Sequence, residues 1–474
     1  MTQALLLFAV ALAMLWSYRR WWLAVRWLLV LIVVEGAIRK WVLPEQQQLV
    51  YLVKDFLVVA IFAGFLVSGK RIRRVRPPAA VVVPLMACAL WGGFEIFNPR
   101  LPSLLVGIFG WKSYFWYAPL LWVVPAAFRD LPDFERFVRR YALLVLPVVA
   151  LGLLQFRAPT TSVLNRYAWG ELADTVGRVA TFGQLGAARV TSTFSYITGY
   201  STFLVAVGIL LMVALALRGF RVSGNGLLWA ALLAVPIGVL VSGSRGPLIL
   251  LAGIFPMLFL FARRGMAEKS RALLRLVSTV AVGAVLISFV AMPALEAFTY
   301  RVRSTEEDVV ERALQPLFEP FEVMDLVGPF AYGIGATHQA ASALVPDLRP
   351  GSWLDGIEAE NESTRVMIEL GPLGFLAHFG YRIALVVMAF GIARRARLSA
   401  SRIVAFGAAF FLLAQLPGAV VFNVYGGIYF WFLAGAALLA QATEREQIQA
   451  ASPSGPRRTV LRESGPRPVA EARR

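Results

Sequence analysis

Long apolar runs separated by short polar stretches dominate the chain from its start to about residue 441. Each run of roughly 17 to 25 residues is long enough to cross a hydrocarbon core of about 30 Å as a helix. The apolar positions are continuous rather than alternating, which is typical of membrane helices and not of barrel strands. One run, about Leu104 to Phe128, is interpreted as a single span. The pattern predicts an all-α polytopic integral membrane protein with about 12–13 transmembrane helices.

Two longer polar interruptions divide the apolar runs and set the predicted boundaries. We expect N-terminal transmembrane helices over 1–292, with a loop at about 157–190, and a large loop over 293–363 that contains short helices. C-terminal transmembrane helices follow over 364–441. The last segment, 442–474, is rich in Pro, Arg, Ser and Glu, so we expect a disordered cytoplasmic tail.

The formal net charge of +18 first suggests nucleic acid, but 58% of the residues are hydrophobic and the basic residues cluster between apolar runs. These clusters are Lys70 to Arg76, Arg136 to Arg140, Arg263 to Arg275 and Arg394 to Arg402. Basic loops stay in the cytoplasm under the positive-inside rule. Alternation of the spans then places every cluster on the cytoplasmic side and both long loops on the other side. We therefore predict contact with a lipid bilayer and no nucleic acid.

Several ionisable residues lie within or at the ends of apolar runs, where an unpaired charge is expensive. They are Glu35, Arg39, Lys54, Asp55, Glu95 and Lys112. We expect Lys54 and Asp55 to pair with Glu35 or Arg39 on a neighbouring helix. Lys112, near the outer end of its span, is a candidate to face the same cavity as Arg245.

Arg245 lies in the segment Ser-Gly-Ser-Arg-Gly-Pro between two spans, at the non-cytoplasmic surface in the predicted topology. Its small neighbours leave the guanidinium group accessible, and a planar fork of five donors suits phosphate oxygens. The alternative is an arginine that snorkels to lipid headgroups.

Arg178 and Arg189 lie in the shorter loop and precede Val-Thr-Ser-Thr-Phe-Ser, a hydroxyl-rich helix start. An arginine there can hold a diphosphate together with the free N–H groups of the helix N-terminus. An interfacial cation without a ligand is the alternative interpretation.

The large loop ends in Glu360-Asn361, followed by Glu362, Arg365 and Glu369, which are three and four residues apart and share a helix face. A partly buried carboxylate at a helix start can act as general base toward a hydroxyl nucleophile. The alternative is a helix cap with solvated acids.

Histidine is scarce in this sequence, with His338 in the large loop and His378 in an apolar run. His338 is a candidate base near neutral pH, or a surface residue. Cys88 is the single cysteine, and the sequence has no pattern of metal ligands. We therefore expect neither a metal ion nor another cofactor.

The Ser-Arg-Gly turn between spans, the two polar loops and the large late loop ending in Glu-Asn before Glu-Leu-Gly-Pro-Leu-Gly resemble the bacterial O-antigen ligase and polymerase superfamily. The resemblance covers roughly residues 180–390. In that family the late periplasmic loop commonly ends in a His-Asn pair before a Glu-Leu-Gly-x-x-Gly element. Here Glu360 stands where the ligases have histidine, which favours polymerisation of repeat units over ligation.

The resemblance implies a GT-C-like enzyme of the bacterial inner membrane with its active site at the periplasmic face. It implies metal-independent, inverting transfer of a glycan from an undecaprenyl-diphosphate carrier. Glu360 is the implied catalytic base, and Arg189 and Arg245 are the implied diphosphate ligands. The other candidate substrate-binding residues are Asn361, Arg365, Lys112, Arg178 and His338. The resemblance also implies a chain-length regulator and a flippase as partners.

Three alternatives remain. In the first, the chain is a ligase that moves a finished glycan to a lipid or protein acceptor. In the second it is a polysaccharide exporter, and in the third it is a non-catalytic subunit of an assembly complex. An exporter predicts ionisable residues through the midplane of the membrane, whereas the candidates here gather at one surface. A non-catalytic subunit predicts that the arginines and Glu360 can be replaced harmlessly.

Overall fold

In a computed structural model of the chain, helices account for nearly all regular structure. The structure describes residues 2–69, 76–168, 179–182, 186–261, a few positions between 270 and 285, 292–303, 309–328, 330–349, 351–354, 356–357, 359 and 361–451. These residues contain no strand, and only an isolated bridge joins Thr181 to Ala188.

The helices of the first half include α9, which is continuously apolar, is buried along almost its whole length and packs against α7, α10 and α11. Their bounds are α1 Thr2–Arg19, α2 Trp21–Ala37, α3 Gln47–Ser68, α4 Ala79–Glu95, α5 Leu104–Phe115, α6 Leu120–Ala127, α7 Leu131–Ala142, α8 Val145–Arg157, α9 Ile197–Leu217, α10 Gly226–Ser242 and α11 Arg245–Phe261. A π-helix, Ile38–Val42, extends α2.

The second half contains both short and long helices, and the long ones complete the bundle. They are α12 Met292–Arg303, α13 Val309–Glu322, α14 Met324–Val327, α15 Ala341–Leu344, α16 Glu362–Arg395, α17 Ser399–Ala414 and α18 Val424–Ala451. Helix α16 packs against α4, α13 and α17, and α18 packs against α6 and α17. The short helices α13, α14 and α15 lie within the segment 293–363.

Six helices in the described part of the chain are long and apolar enough to cross a membrane, which supports the prediction of an all-α membrane protein. They are Trp21–Val42, Pro44–Ser68, Leu131–Arg157, Ile197–Leu217, Glu362–Arg395 and Val424–Ala450. Five shorter apolar helices accompany them, at Gln3–Arg19, Ala79–Glu95, Gly226–Ser242, Arg245–Leu258 and Ser399–Ala414. Six is fewer than the 12–13 spans expected from the sequence, because several apolar runs form shorter helices and most of residues 262–291 lie outside the described part of the chain.

Two predicted boundaries differ from the structure. The apolar run 104–128 forms two short helices, α5 and α6, because the chain turns before Pro119, which lacks the N–H needed within a helix. Helix α18 continues to Ala451, so it includes the first residues of the segment interpreted as a tail. Residues 452–474 lie outside the described residues.

Helix α16 contains a break at Gly371 (φ 63°, ψ −176°), directly before Pro372. That backbone conformation is essentially restricted to glycine, and proline is well suited to the first position of a new helix. The stretch 362–370 is therefore a separate short helix, and the apolar span begins at Pro372. The predicted start of the C-terminal membrane segment at 364 falls within the short helix.

Candidate functional site

Arg189 lies against the turn that joins α10 to α11. Helix α10 ends at Gly243, whose left-handed backbone (φ 66°) terminates the helix. The guanidinium group of Arg189 donates to the carbonyl of Ser242 (3.2 Å) and to the hydroxyl of Ser244 (3.4 Å). Arg245 is the next residue and begins α11. The structure thus brings two predicted diphosphate ligands, from separate parts of the sequence, to one short turn.

A second layer of polar contacts surrounds this turn. The hydroxyl of Ser201, on α9, bonds the hydroxyl of Ser244 at 2.9 Å. The hydroxyl of Tyr167 donates to the carbonyl of Arg189 at 2.7 Å. Burial raises the pKa of Tyr167 above its usual range, although the charge of Arg189 opposes the shift, so Tyr167 is a neutral donor. These contacts hold the backbone of Arg189 and the side chain of Ser244, the residue before Arg245.

The hydroxyl-rich segment after Arg189 is packed against α2 and α8 rather than left open. Lys40 donates to the hydroxyl of Thr191 (3.1 Å) and to the carbonyl of Ser192. Arg39 donates to the hydroxyl of Ser195 at 2.9 Å. A side chain at Gly36 would collide with this segment, because its Cβ would lie 2.4 Å from the nitrogen of Ser195. These hydroxyl groups therefore support the segment that carries Arg189.

Lys112, His338 and Arg365 meet in a second cluster, around two phenylalanine rings. The ring of His338 lies 5.0 Å from that of Phe109 and 5.8 Å from that of Phe422. Lys112 lies over the ring of Phe109 at 4.7 Å, and Arg365 over that of Phe422 at 5.2 Å. We call this group, Phe109, Lys112, His338, Arg365 and Phe422, the aromatic–cation cluster.

The protonation state of His338 follows from its surroundings. Its side chain is buried, and Ala340 donates its backbone N–H to Nδ1 at 3.0 Å. Burial, reinforced by the positive charges of Lys112 and Arg365, lowers the pKa of His338 to about 3. His338 is therefore neutral at physiological pH. A neutral imidazole can form hydrogen bonds to a ligand, but it does not act as a cationic acid.

Buried ion pairs connect the two regions. Lys54 pairs with Glu35 at 3.0 Å, as the sequence predicted, and Arg39 lies 3.8 Å from the same carboxylate. Asp55, which was expected to pair with Glu35 or Arg39, instead pairs with Lys112 at 2.5 Å, so the described partner of Lys112 lies on α3. Since Arg39 also reaches Ser195, polar contacts run from the segment after Arg189 toward the aromatic–cation cluster.

Asn361 caps the helix that opens α16. Its side-chain oxygen accepts from the backbone N–H of Thr364 (3.1 Å), and its amide donates to Glu319 on α13. Glu360, the predicted catalytic base, directly precedes this cap but lies outside the described residues, as does Arg178.

The two carboxylates after Asn361 are buried, and neither is a solvated acid. Glu362 Oε2 accepts from three backbone N–H groups, those of Val420 (2.6 Å), Val421 (2.7 Å) and Phe422 (3.2 Å). Glu362 Oε1 pairs with Arg382 at 2.8 Å. Glu362 thereby fixes the segment that presents Phe422 to the aromatic–cation cluster.

Glu369 anchors the other side of the same cluster. It accepts from the hydroxyl of Tyr114 (2.9 Å) and from the N–H (2.9 Å) and hydroxyl (2.7 Å) of Thr337, next to His338. Glu362, Arg365 and Glu369 thus contact three different sets of neighbours. In the described part of the chain, Arg365 forms no ion pair with either carboxylate and instead donates to the carbonyl of Ala359.

Arg382, the fully buried partner of Glu362, was not among the residues predicted from the sequence. Besides this pair it donates to the carbonyls of Gln415 and Gly418, so it connects three segments. An arginine inside an apolar run was the available signal. Across the described residues, no group of three or more His, Cys, Asp or Glu side chains is placed to hold a metal ion.

In comparisons with known proteins, no family model matches the chain and no curated protein matches it.

Proposed function

We propose that the chain is a glycosyltransferase of the bacterial inner membrane that polymerises undecaprenyl-diphosphate-linked repeat units at the periplasmic face. The GT-C-like architecture and the periplasmic placement of both loops belong to this proposal. The observation that carries it is the position of Arg189 on the Ser242–Ser244 turn, directly before Arg245. An arginine bound to this turn and a second arginine directly after it, between two apolar helices, suit a diphosphate at a membrane surface.

The proposed reaction is an inverting displacement. A hydroxyl of the acceptor glycan attacks the anomeric carbon of the donor, and its proton passes to the carboxylate of Glu360. The bond between the anomeric carbon and the diphosphate oxygen breaks, and the carrier diphosphate leaves with an added negative charge. Arg189 and Arg245 stabilise that charge. No step of this reaction requires a metal ion.

The aromatic–cation cluster is proposed to bind the glycan. Aromatic faces and neutral hydrogen-bonding groups suit sugar rings, and Lys112 and Arg365 supply donors for hydroxyl oxygens. Asn361 is proposed to orient the acceptor beside Glu360, because its own side chain is fixed by the helix cap and by Glu319. A chain-length regulator and a flippase are the expected protein partners.

The test is a deletion strain complemented with variants, in which surface and lipid-linked glycans are separated by size. Arg245→Ala and Arg189→Ala should abolish long chains and leave single repeat units on the carrier, at unchanged protein level. Arg221→Ala is the control, because Arg221 is exposed in the connection between α9 and α10.

Other outcomes separate the remaining possibilities. Long chains that stay on the carrier and miss their final anchor would mean ligation. Normal chains in both arginine variants would overturn the diphosphate role. Glu360→Gln should fail, and full activity of that variant would remove Glu360 from the role of base.

A further inference from the structure

Helix α13 has an unusual distribution of side chains for a helix in a polar loop. Leu317, Phe318 and Phe321 are 57%, 60% and 57% exposed, and Leu314 is exposed on the same face. These positions are spaced by three and four residues and form one stripe. A helix that borders water normally directs its polar side outward.

One acidic side chain of α13, Glu319, instead faces the protein, whereas Glu322 is exposed. Glu319 accepts a hydrogen bond from the amide of Asn361, and the carbonyl of Pro316 accepts from the hydroxyl of Ser363 at 2.6 Å. Both partners lie at the start of α16. The orientation of α13 is therefore fixed by polar contacts, and these contacts turn its apolar stripe away from the protein.

The apolar stripe of α13 continues onto the exposed apolar surface of the α16 span. The rings of Phe321 and Phe375 lie 6.0 Å apart. On the span, Leu373 and Leu376 flank Phe375 and are 61% and 68% exposed. In a membrane helix, exposed apolar side chains of this kind face the acyl chains.

Contacts at the start of α16 also determine the position of α13 along the direction of the apolar span. Asn361 is adjacent to Glu362, which pairs with Arg382. Arg382 lies about 15 Å along the helix from Pro372, because a helix rises about 1.5 Å per residue. Helix α13 is thus held beside the apolar span rather than beyond its end.

We propose that α13 lies in the bilayer leaflet on its own side of the membrane, with Leu314, Leu317, Phe318 and Phe321 inserted among phospholipid acyl chains. Amphipathic helices of this kind bury their apolar face about 5–10 Å into the boundary between headgroups and acyl chains. This inference does not depend on the proposed glycosyltransferase activity. Helix α13 separates the segment that carries Asn361 from the lipid.

The test introduces one cysteine at a time and measures whether a label on it contacts lipid or water in vesicles. Leu317→Cys and Phe318→Cys are labelled with an environment-sensitive fluorophore and reconstituted in phosphatidylcholine and phosphatidylglycerol. Asp347→Cys is the control, because Asp347 is exposed in the same segment 293–363. Wild-type protein gives the labelling background, since Cys88 is fully buried.

Labels at positions 317 and 318 should be quenched several-fold more by brominated acyl chains than by iodide present on both sides of the membrane. The label at position 347 should show the reverse. Equal quenching by iodide at all three positions would place α13 in water and overturn the inference. Protection from both quenchers would mean that a protein surface, such as a second copy of the chain, covers the stripe, and would overturn it too.

Discussion

Glu362 and Arg382 are twenty residues apart, on the two helices that meet at Gly371, and their side chains form an ion pair at 2.8 Å. In a straight helix they would be separated by about 30 Å. The break at Gly371 resolves the difference, because the short helix 362–370 folds back along the span that begins at Pro372. This reversal places Asn361 beside the span rather than above its end.

The Glu362–Arg382 pair should therefore be essential to stability. Glu362→Gln leaves the buried guanidinium of Arg382 without its counter-charge, and we expect the free energy of unfolding to fall by about 3–5 kcal/mol. Denaturation in mixed micelles measures this change. Glu322→Gln, an exposed position on α13, is the control and should change the free energy by less than about 0.5 kcal/mol.

A double-mutant cycle tests whether the effect belongs to the pair. Glu362→Gln combined with Arg382→Gln should cost less than the sum of the single variants, because no buried charge is left alone. Strict additivity would show that the two side chains stabilise the fold independently.

Gly371 is the second test of the reversal. A side chain at φ 63° and ψ −176° is strained, so Gly371→Ala should destabilise the protein by about 1–3 kcal/mol. Gly380→Ala is the matched control on the same span, because its Cβ would meet only Pro84 at an ordinary 3.7 Å. If Gly371→Ala and Gly380→Ala melt at the same temperature, the fold-back does not depend on this residue.

The hydrophobic pattern was sufficient to predict an all-α membrane protein, because a continuous apolar run in lipid can form its backbone hydrogen bonds only as a helix. It predicted more full spans than the six found among the described residues, since hydropathy does not show where a run turns, as it does before Pro119. It did not predict the reversal at Gly371, because the conformation of a glycine is set by tertiary contacts.

The candidate site was predictable only in part. The topology inferred from charge placed Arg189 and Arg245 on the same side of the membrane, and the structure places Arg189 on the turn before Arg245. The roles of Glu362 and Glu369 were not predictable, because both carboxylates are satisfied by residues distant in sequence, such as Val420 and Tyr114.

The buried state of His338 has a consequence for pH dependence. Its pKa is about 3 in the folded protein and about 6.5 when unfolded, so only the unfolded state binds the proton between these values. The contribution of His338 to the free energy of unfolding is therefore constant above about pH 6.5. As the pH falls toward 3, this free energy decreases by up to about 1.4 kcal/mol per pH unit.

The comparison variant is His338→Asn, whose side-chain oxygen can still accept the N–H of Ala340. The stability of wild type relative to this variant should fall between pH 6.5 and 5, as measured by denaturation in micelles. Parallel stability curves for the two proteins would show that His338 is protonated as easily in the folded state as in the unfolded chain.

The contact between Arg189 and the Ser242–Ser244 turn leads to the last prediction, which rests on the proposed function. The guanidinium fork reaches the carbonyl of Ser242 and the hydroxyl of Ser244 together, whereas a lysine presents one ammonium group. Arg189→Lys should therefore reduce long-chain polymer roughly tenfold or more, which corresponds to a loss of about 1.4 kcal/mol. Ser244→Ala should reduce it less, because the Ser242 contact remains.

Chain-length profiles in the complemented deletion strain measure both variants, with protein level as the first control. Apparent melting temperature is the second control, and it should stay close to that of wild type in Ser244→Ala. Wild-type profiles in Arg189→Lys would mean that charge alone at this position is sufficient, and that the fork geometry at the turn has no part in binding the diphosphate.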